Sequence, residues 1–258
     1  MDWMYTLSGF VVGAIVGLTG VGGGSLMTPL LVLLFGVHPA TAVGTDLLYA
    51  AITKAGGTVV HARKGHVDWQ VTRLLAAGSI PAAGLTIWAL SYLPRQSAAV
   101  SQLISVSLGV ALLLTAAAII FRQQLQRQAL AHADDAAHTQ FRAPVTIAFG
   151  VLLGVLVTVS SVGAGALGAA VLFYLYPRLS AIRIIGSDVA HAVPLTLVAG
   201  LGHWLIGSVD WSLLGSLLLG SLPGIWLGSH ASAHVPDRIL RPILAGMLVL
   251  IGGKLIAH

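Results

Sequence analysis

Gly65-His66-Val67-Asp68-Trp69-Gln70-Val71-Thr72-Arg73-Leu74-Leu75-Ala76-Ala77-Gly78-Ser79-Ile80-Pro81 returns 142 residues later as Gly207-Ser208-Val209-Asp210-Trp211-Ser212-Leu213-Leu214-Gly215-Ser216-Leu217-Leu218-Leu219-Gly220-Ser221-Leu222-Pro223. The same shift carries the match outward without a gap, laying 44–94 on 186–236 and pairing Gly44 with Gly186, Asp46 with Asp188, His61 with His203 and Pro94 with Pro236. With one residue of slip, Val21-Gly22-Gly23-Gly24 faces Val162-Gly163-Ala164-Gly165. Clustered triplets at a single offset are the mark of an internal repeat. The chain is read as two related halves.

What surrounds the repeat fixes the solvent. Of 258 residues, 57% are hydrophobic and only 8% charged, and the mean hydropathy is +0.93. A soluble domain carries roughly 25% charged residues, so a water-facing surface is excluded. Apolar runs between turn signals give ten segments, 5–19, 25–37, 42–61, 70–92, 98–121, 145–159, 163–176, 183–206, 211–233 and 240–256. A full crossing takes about 20 apolar residues. The first, second, sixth and seventh segments are short, and a glycine break separates each pair. Each pair is therefore either two thin crossings or one re-entrant hairpin, and both readings stay open. The expected class is an all-α membrane protein. Nothing basic precedes the first apolar run, so that segment is expected to remain in the mature protein.

The 31 glycines suit close helix crossings and broken helices. There is no cysteine and no glutamate, hence no disulfide, no thiolate metal site and no metal or catalytic-residue expectation. No Walker loop and no Ser-His-Asp order occurs, so an enzyme is not expected, and no cofactor is called for.

Charge placement gives orientation. Arg63, Lys64, Arg73, Arg122, Arg127, Arg142, Arg178, Arg183, Arg238 and Arg241 fall on one side when the segments alternate, against Arg95 and Lys254 on the other. Basic residues gather on the cytoplasmic side. They are scattered between apolar blocks rather than gathered into a stripe, so nucleic acid is not an expected partner. The polar stretch through Asp134-Asp135 is then a cytoplasmic linker at 122–143, between a first transmembrane repeat at 1–121 and a second at 144–258. Both termini are expected in the periplasm, in a bacterial inner membrane. An odd number of crossings per half inverts the second copy, about a two-fold axis in the membrane plane. Inverted repeats with matching Gly-broken segments are a pattern of secondary transporters.

The candidate site residues follow from that pattern. Glycine breaks free backbone N–H groups at helix starts, where an anion is favoured; Gly22, Gly23, Gly24 and Ser25 in the first half and Ser161, Gly163 and Gly165 in the second are the expected substrate contacts. A close helix crossing of small residues is the competing reading. Lys54 lies deep in the third segment. A charge at that depth costs about 2.5–3.5 kcal/mol or more on insertion scales and so faces a cavity or partner. Either Asp46, Asp188 or the substrate anion is its expected partner. Asp46 and Asp188, with His191, are candidate coupling groups for a proton or sodium ion; helix capping and packing are the structural alternatives. Asp68-Trp69 and Asp210-Trp211 read as helix caps with interfacial anchors.

The run Gly20-Val21-Gly22-Gly23-Gly24 with Pro29, then Gly44-Thr45-Asp46-Leu47-Leu48, then Gly65-His66-Val67-Asp68-Trp69, resembles the sulfite exporter TauE/SafE family, also called toluene-sulfonate uptake permeases. The resemblance covers the whole chain and both halves. It implies a transporter of small anionic sulfur-containing substrates such as sulfite, thiosulfate or sulfoacetate, embedded in the lipid bilayer, with a homodimer open. Many members carry serine where Asp46 and Asp188 stand. The expected function is secondary transport of such an anion by alternating access, ion-coupled; a passive anion channel, which needs no coupling carboxylate, is the alternative.

Overall fold

The computed structural model describes residues 3–19, 24–94, 97–131, 136–231 and 237–257. Ten helices follow in order: α1 (Trp3–Thr19), α2 (Gly24–Leu33), α3 (Pro39–Arg63), α4 (Trp69–Ser91), α5 (Ala98–Ala131), α6 (Ala136–Ser160), α7 (Ala166–Leu175), α8 (Ala181–Leu205), α9 (Trp211–Ala231) and α10 (Asp237–Ala257). No strand occurs among the described residues. Among the described residues, five stretches are long and apolar enough to cross a bilayer, at Trp69–Ser91, Ala98–Arg122, Arg142–Ser160, Ala181–Leu205 and Trp211–His230. The protein is a multi-pass membrane protein. α3 has the length of a crossing at 25 residues but carries Asp46 and Lys54, which lower its apolar content. At ten residues each, α2 and α7 reach about 15 Å, half of a hydrocarbon core. The polar residues after Phe121 continue α5 as helix, because Gln, Leu, Ala and Arg are strong helix formers and extend a helix already nucleated.

The repeated sequence builds the same corner twice. α3 ends with Gly65 at φ +68° and α8 with Gly207 at φ +73°. In the first, Gly65 N–H donates to Ala62 O at 3.1 Å and His66 N–H to His61 O at 2.9 Å; in the second, Gly207 N–H donates to Trp204 O and Ser208 N–H to His203 O, both at 2.8 Å. This is the Schellman ending, which needs a left-handed residue that glycine supplies without strain. The next helix is then capped by aspartate: Asp68 Oδ1 accepts from Gln70 and Val71 N–H at 3.1 and 3.2 Å, and Asp210 Oδ1 from Ser212 and Leu213 N–H at 2.9 and 3.0 Å. The capping expected of both Asp-Trp pairs holds.

Contacts between the halves come in exchanged pairs. Asp68 N–H donates to Ser187 Oγ at 2.7 Å, and its repeat mate Asp210 N–H to Thr45 Oγ1 at 3.1 Å. A methyl on Gly44 would overlap Ser208 O, and one on Gly186 would overlap His66 O. Gly220 of α9 lies against Thr6 and Phe10 of α1; Gly78 of α4 lies against Ile147 and Val151 of α6. Each half thus lends its first helix to the other half's fourth. Two cores result, one around Tyr49, Leu112 and Leu217, the other around Leu47, Leu75, Phe173 and Leu195. Large apolar side chains face outward, among them Leu85, Trp88, Trp226 and Leu250, as a surface solvated by lipid requires.

Candidate functional site

The site is built on the interruption between α6 and α7. α6 stops because the backbone turns left-handed three times in five residues, at Ser161 (φ 61°), Gly163 (φ 132°) and Gly165 (φ 139°). Glycine takes such angles freely; Ser161 does so at the price of local strain. The helix resumes as Gly168 N–H bonds Gly163 O at 3.1 Å and Ala169 N–H bonds Gly165 O at 2.8 Å. Ser161 N–H still bonds Val157 O at 2.7 Å, and Ser160 Oγ bonds both the N–H and the carbonyl of Val162. The Ala164 carbonyl and the Gly165 N–H are therefore the peptide groups here that meet other helices, where α7 presents its positive end.

Three buried charged side chains converge on this interruption from two other helices. Asp46 of α3 accepts from Ser161 Oγ at 3.0 Å and from Thr28 Oγ1 of α2 at 2.5 Å, both through Oδ2. Lys54, also of α3, donates from Nζ to Ala164 O at 2.9 Å. The Asp188 carboxylate of α8 lies at the start of α7, against Gly168 and facing the Gly165 backbone N–H. Gly168 in the first turn of α7 makes that approach possible, since a methyl there would overlap the Asp188 carboxylate. Asp188 thus sits where a helix start favours an anion. Asp188 and Asp46 are the acids near enough to act on Lys54. The spacing along α3 explains why one helix serves two points: eight residues separate Asp46 from Lys54, about 12 Å along the axis.

His191, three residues beyond Asp188 on α8, bonds through Nε2 to Ser79 Oγ of α4 at 2.8 Å. Its repeat mate Tyr49 lies beside Ser221, the mate of Ser79. His203 donates from Nε2 to Thr158 O at 2.9 Å, one turn before the interruption. Each of these side chains is buried, and each joins the two halves or braces the break.

Of the residues singled out in the sequence, Ser161, Gly163, Gly165, Lys54, Asp46 and Asp188 lie together at the second break. His191 stands one turn away, engaged with Ser79. Gly22 and Gly23 lie outside the described residues; Gly24 and Ser25 open α2, and their side chains lie outside the described residues as well. Three contributors escaped sequence reasoning: Thr28, the Ala164 carbonyl and Gly168. Thr28 had a usable signal, a hydroxyl one turn into the short helix that follows the first glycine run. Gly168 had only its place in the first turn of α7.

The family model described as sulfite exporter TauE/SafE matches residues 5–255. The chain is 41% identical over 250 residues to a protein of Bacillus subtilis (strain 168) described as "Probable membrane transporter protein YjnA", covering 97% of this chain and 98% of that one. It is 28% identical to "Probable membrane transporter protein YdhB" of the same organism, over 93% and 97% of the two chains. A "Probable membrane transporter protein" of Xylella fastidiosa (strain 9a5c) is 26% identical over 95% and 92%. No solved structure gives a significant match. With ten helices among the described residues, buried charge at a broken helix and a match along nearly its whole length, the chain belongs to the sulfite exporter TauE/SafE family of membrane transporters.

Proposed function

We propose that the protein is a secondary transporter that moves a small organosulfur or sulfur oxyanion across the inner membrane by alternating access. One observation carries this reading: Asp46, Lys54 and Asp188, from two different helices, all end on the same unwound segment at 161–165. A cation and a helix start at one buried point form a receptor for an anion. In the arrangement described, the protein's own Asp188 fills it. A substrate oxyanion takes the place of that carboxylate, accepting from Lys54 Nζ, the Gly165 N–H and the Ser161 hydroxyl. The displaced carboxylate then takes up a proton or sodium ion, so that anion and cation move together. Asp46 performs the matching exchange with Ser161 and Thr28, and His191 relays protons from beside Ser79.

The reciprocal contacts between 44–45 and 208–210, and between 186–187 and 66–68, support two inverted repeats at 1–121 and 144–258 joined by the 122–143 linker. They provide two like closures for the two faces of the membrane. The charge bias supports a cytoplasmic linker and periplasmic termini. The passive-channel alternative differs in one respect, since it needs no carboxylate that changes charge. Proteoliposome flux of Asp46→Asn separates them. The transporter reading expects wild type to accumulate the anion uphill and Asp46→Asn to lose that while downhill exchange persists; downhill flux alone in wild type, unchanged in Asp46→Asn, speaks for the channel.

A further inference from the structure

We propose that the helix pairs α4–α8 and α3–α9 are the two gates of the protein, with α4–α8 shut and α3–α9 open toward the linker side. The inference rests on the alternating-access reading, and deepens it by naming the seams that close and the side from which Lys54 is reached. The repeat allows a comparison residue by residue, because the shift of 142 lays α3 on α8 and α4 on α9. In α4–α8 the two faces meet along their length. His191 Nε2 bonds Ser79 Oγ at 2.8 Å, Ala83, Leu195 and Ala199 are fully buried, and Ile87 fills the space that a methyl on Gly202 would take.

The mates of these residues are arranged differently. Tyr49 Oη, in the place of His191, has no hydrogen-bond partner, and Ser221 Oγ donates at 3.5 Å to Leu218 O of its own helix. Ile52, Gly56 and Val60 form one row on α3, each four residues from the next. Ile52 is 48% and Val60 53% exposed, and nothing lies near a methyl built on Gly56. The matching row on α8, Pro194, Val198 and Gly202, has no exposed member. Lipid contact does not account for the difference. The lipid face of α8 runs along Leu197, Leu201 and Leu205, whose mates are Ala55, Val59 and Arg63, a different row of α3.

The open seam keeps the shape needed to close. Large Ile87 meets Gly202 in one pair; in the other, small Ser229 stands for Ile87 and larger Val60 for Gly202. Knob and hole are retained with their sides exchanged, which is what close helix packing requires. Exposure grows along α3 from fully buried Tyr49 to Val60, and Lys54 lies between them. That end of α3 runs into Arg63 and Lys64, on the linker side by the charge bias. The open seam therefore leads from the linker side to Lys54, and the shut seam seals the opposite side.

The chain has no cysteine, so introduced thiols are the only ones. A Cβ on Gly202 lies 2.6 Å from Ile87 Cγ1, so Ile87→Cys with Gly202→Cys is within reach of a disulfide. Val60→Cys with Ser229→Cys is the matching pair. In nanodiscs oxidised with diamide, the first pair is expected to close at least about tenfold faster, a shut α3–α9 seam being a minor state of roughly 10% or less. In proteoliposomes either disulfide is expected to stop uptake of sulfoacetate, which does not attack disulfides, and reductant to restore it. Gly56→Cys, placed in open space, tests the seam without depending on either pair. A cationic methanethiosulfonate added from the linker side is expected to label it at least about tenfold faster than Val198→Cys, because only a thiol reached by water reacts as thiolate. Equal closure of the two pairs, uptake unaffected by the 87–202 disulfide, or a Gly56→Cys thiol that reacts only with a lipid-soluble maleimide overturns the gates. Cross-linking and labelling need no substrate. Equal pairs in an active transporter refute the gates alone; unequal pairs in a reduced protein that moves no sulfoacetate count against the transport reading alone.

Discussion

Ser161 and Asp46 are 115 residues apart and join the two halves through one hydrogen bond of 3.0 Å to a carboxylate with no solvent exposure. Removing the hydroxyl with Ser161→Ala leaves that oxygen with Thr28 alone. A hydrogen bond to a charged group contributes about 1.5–3 kcal/mol, so Ser161→Ala is expected to lower the unfolding free energy by about 2 kcal/mol. Position 161 is left-handed, and alanine tolerates φ 61° no better than serine, so backbone strain is nearly equal in both proteins. The interaction is isolated by a cycle with Asp46→Ala, in whose background the same serine substitution should cost less than about 0.5 kcal/mol. Reversible unfolding in mixed detergent micelles, followed by circular dichroism, gives all four corners. A coupling energy of about 1.5 kcal/mol supports the contact. A coupling under about 0.5 kcal/mol, within the scatter of independent sites, refutes the claim that this bond holds the break against α3.

Further outcomes follow from the same geometry. Gly78→Ala and Gly220→Ala each force a methyl into the backbone of a crossing helix and should cost about 1–3 kcal/mol by overpacking; Gly246→Ala, where nothing lies near, should cost nothing measurable in the same unfolding assay. His191→Phe should leave the protein folded but impair proton-coupled flux, whereas Ser79→Ala should reproduce a smaller part of that defect if the serine merely orients the ring; equal wild-type flux in both removes His191 from the mechanism. A reporter fused after His258 should read periplasmic and one inserted beside Asp134 cytoplasmic, and either result reversed rejects the orientation.

The helices were legible because the bilayer leaves few options. Runs such as 145–159 and 213–222 must satisfy every backbone group internally, and glycine or proline punctuates them. The polar run after Phe121 shows no apolar period and so gives no sequence sign of helix, yet α5 continues through the first part of the linker to Ala131; a helix already nucleated in the membrane needs no apolar face to extend. Asp46, Lys54 and Asp188 were legible as charges too costly to leave unpartnered. What they touch was not. Lys54 was expected opposite a carboxylate or substrate, and its direct bond goes to the Ala164 carbonyl. That partner exists only because Gly163 and Gly165 turn the backbone out of helix, which identity alone does not reveal. Likewise, one half's carboxylate resting on the other half's break depends on how the halves interlock. Thr28 and Gly168 matter through that interlocking, not through any motif.

The account stands on Lys54 as the cation at the receptor for substrate. Sulfite, thiosulfate and sulfoacetate should first be screened by thermal shift to find the anion that stabilises wild-type protein. Uptake and binding of that anion are then measured in proteoliposomes and by titration for wild type, Lys54→Met and Lys54→Arg. The account predicts that Lys54→Met loses binding by at least about tenfold, the loss of one charge-assisted hydrogen bond, and transports at background. Lys54→Arg, with charge kept and geometry altered, should retain a measurable fraction of both. Wild-type affinity and flux in a folded Lys54→Met protein would contradict it, leaving the lysine a brace for the Ala164 carbonyl and placing the substrate elsewhere.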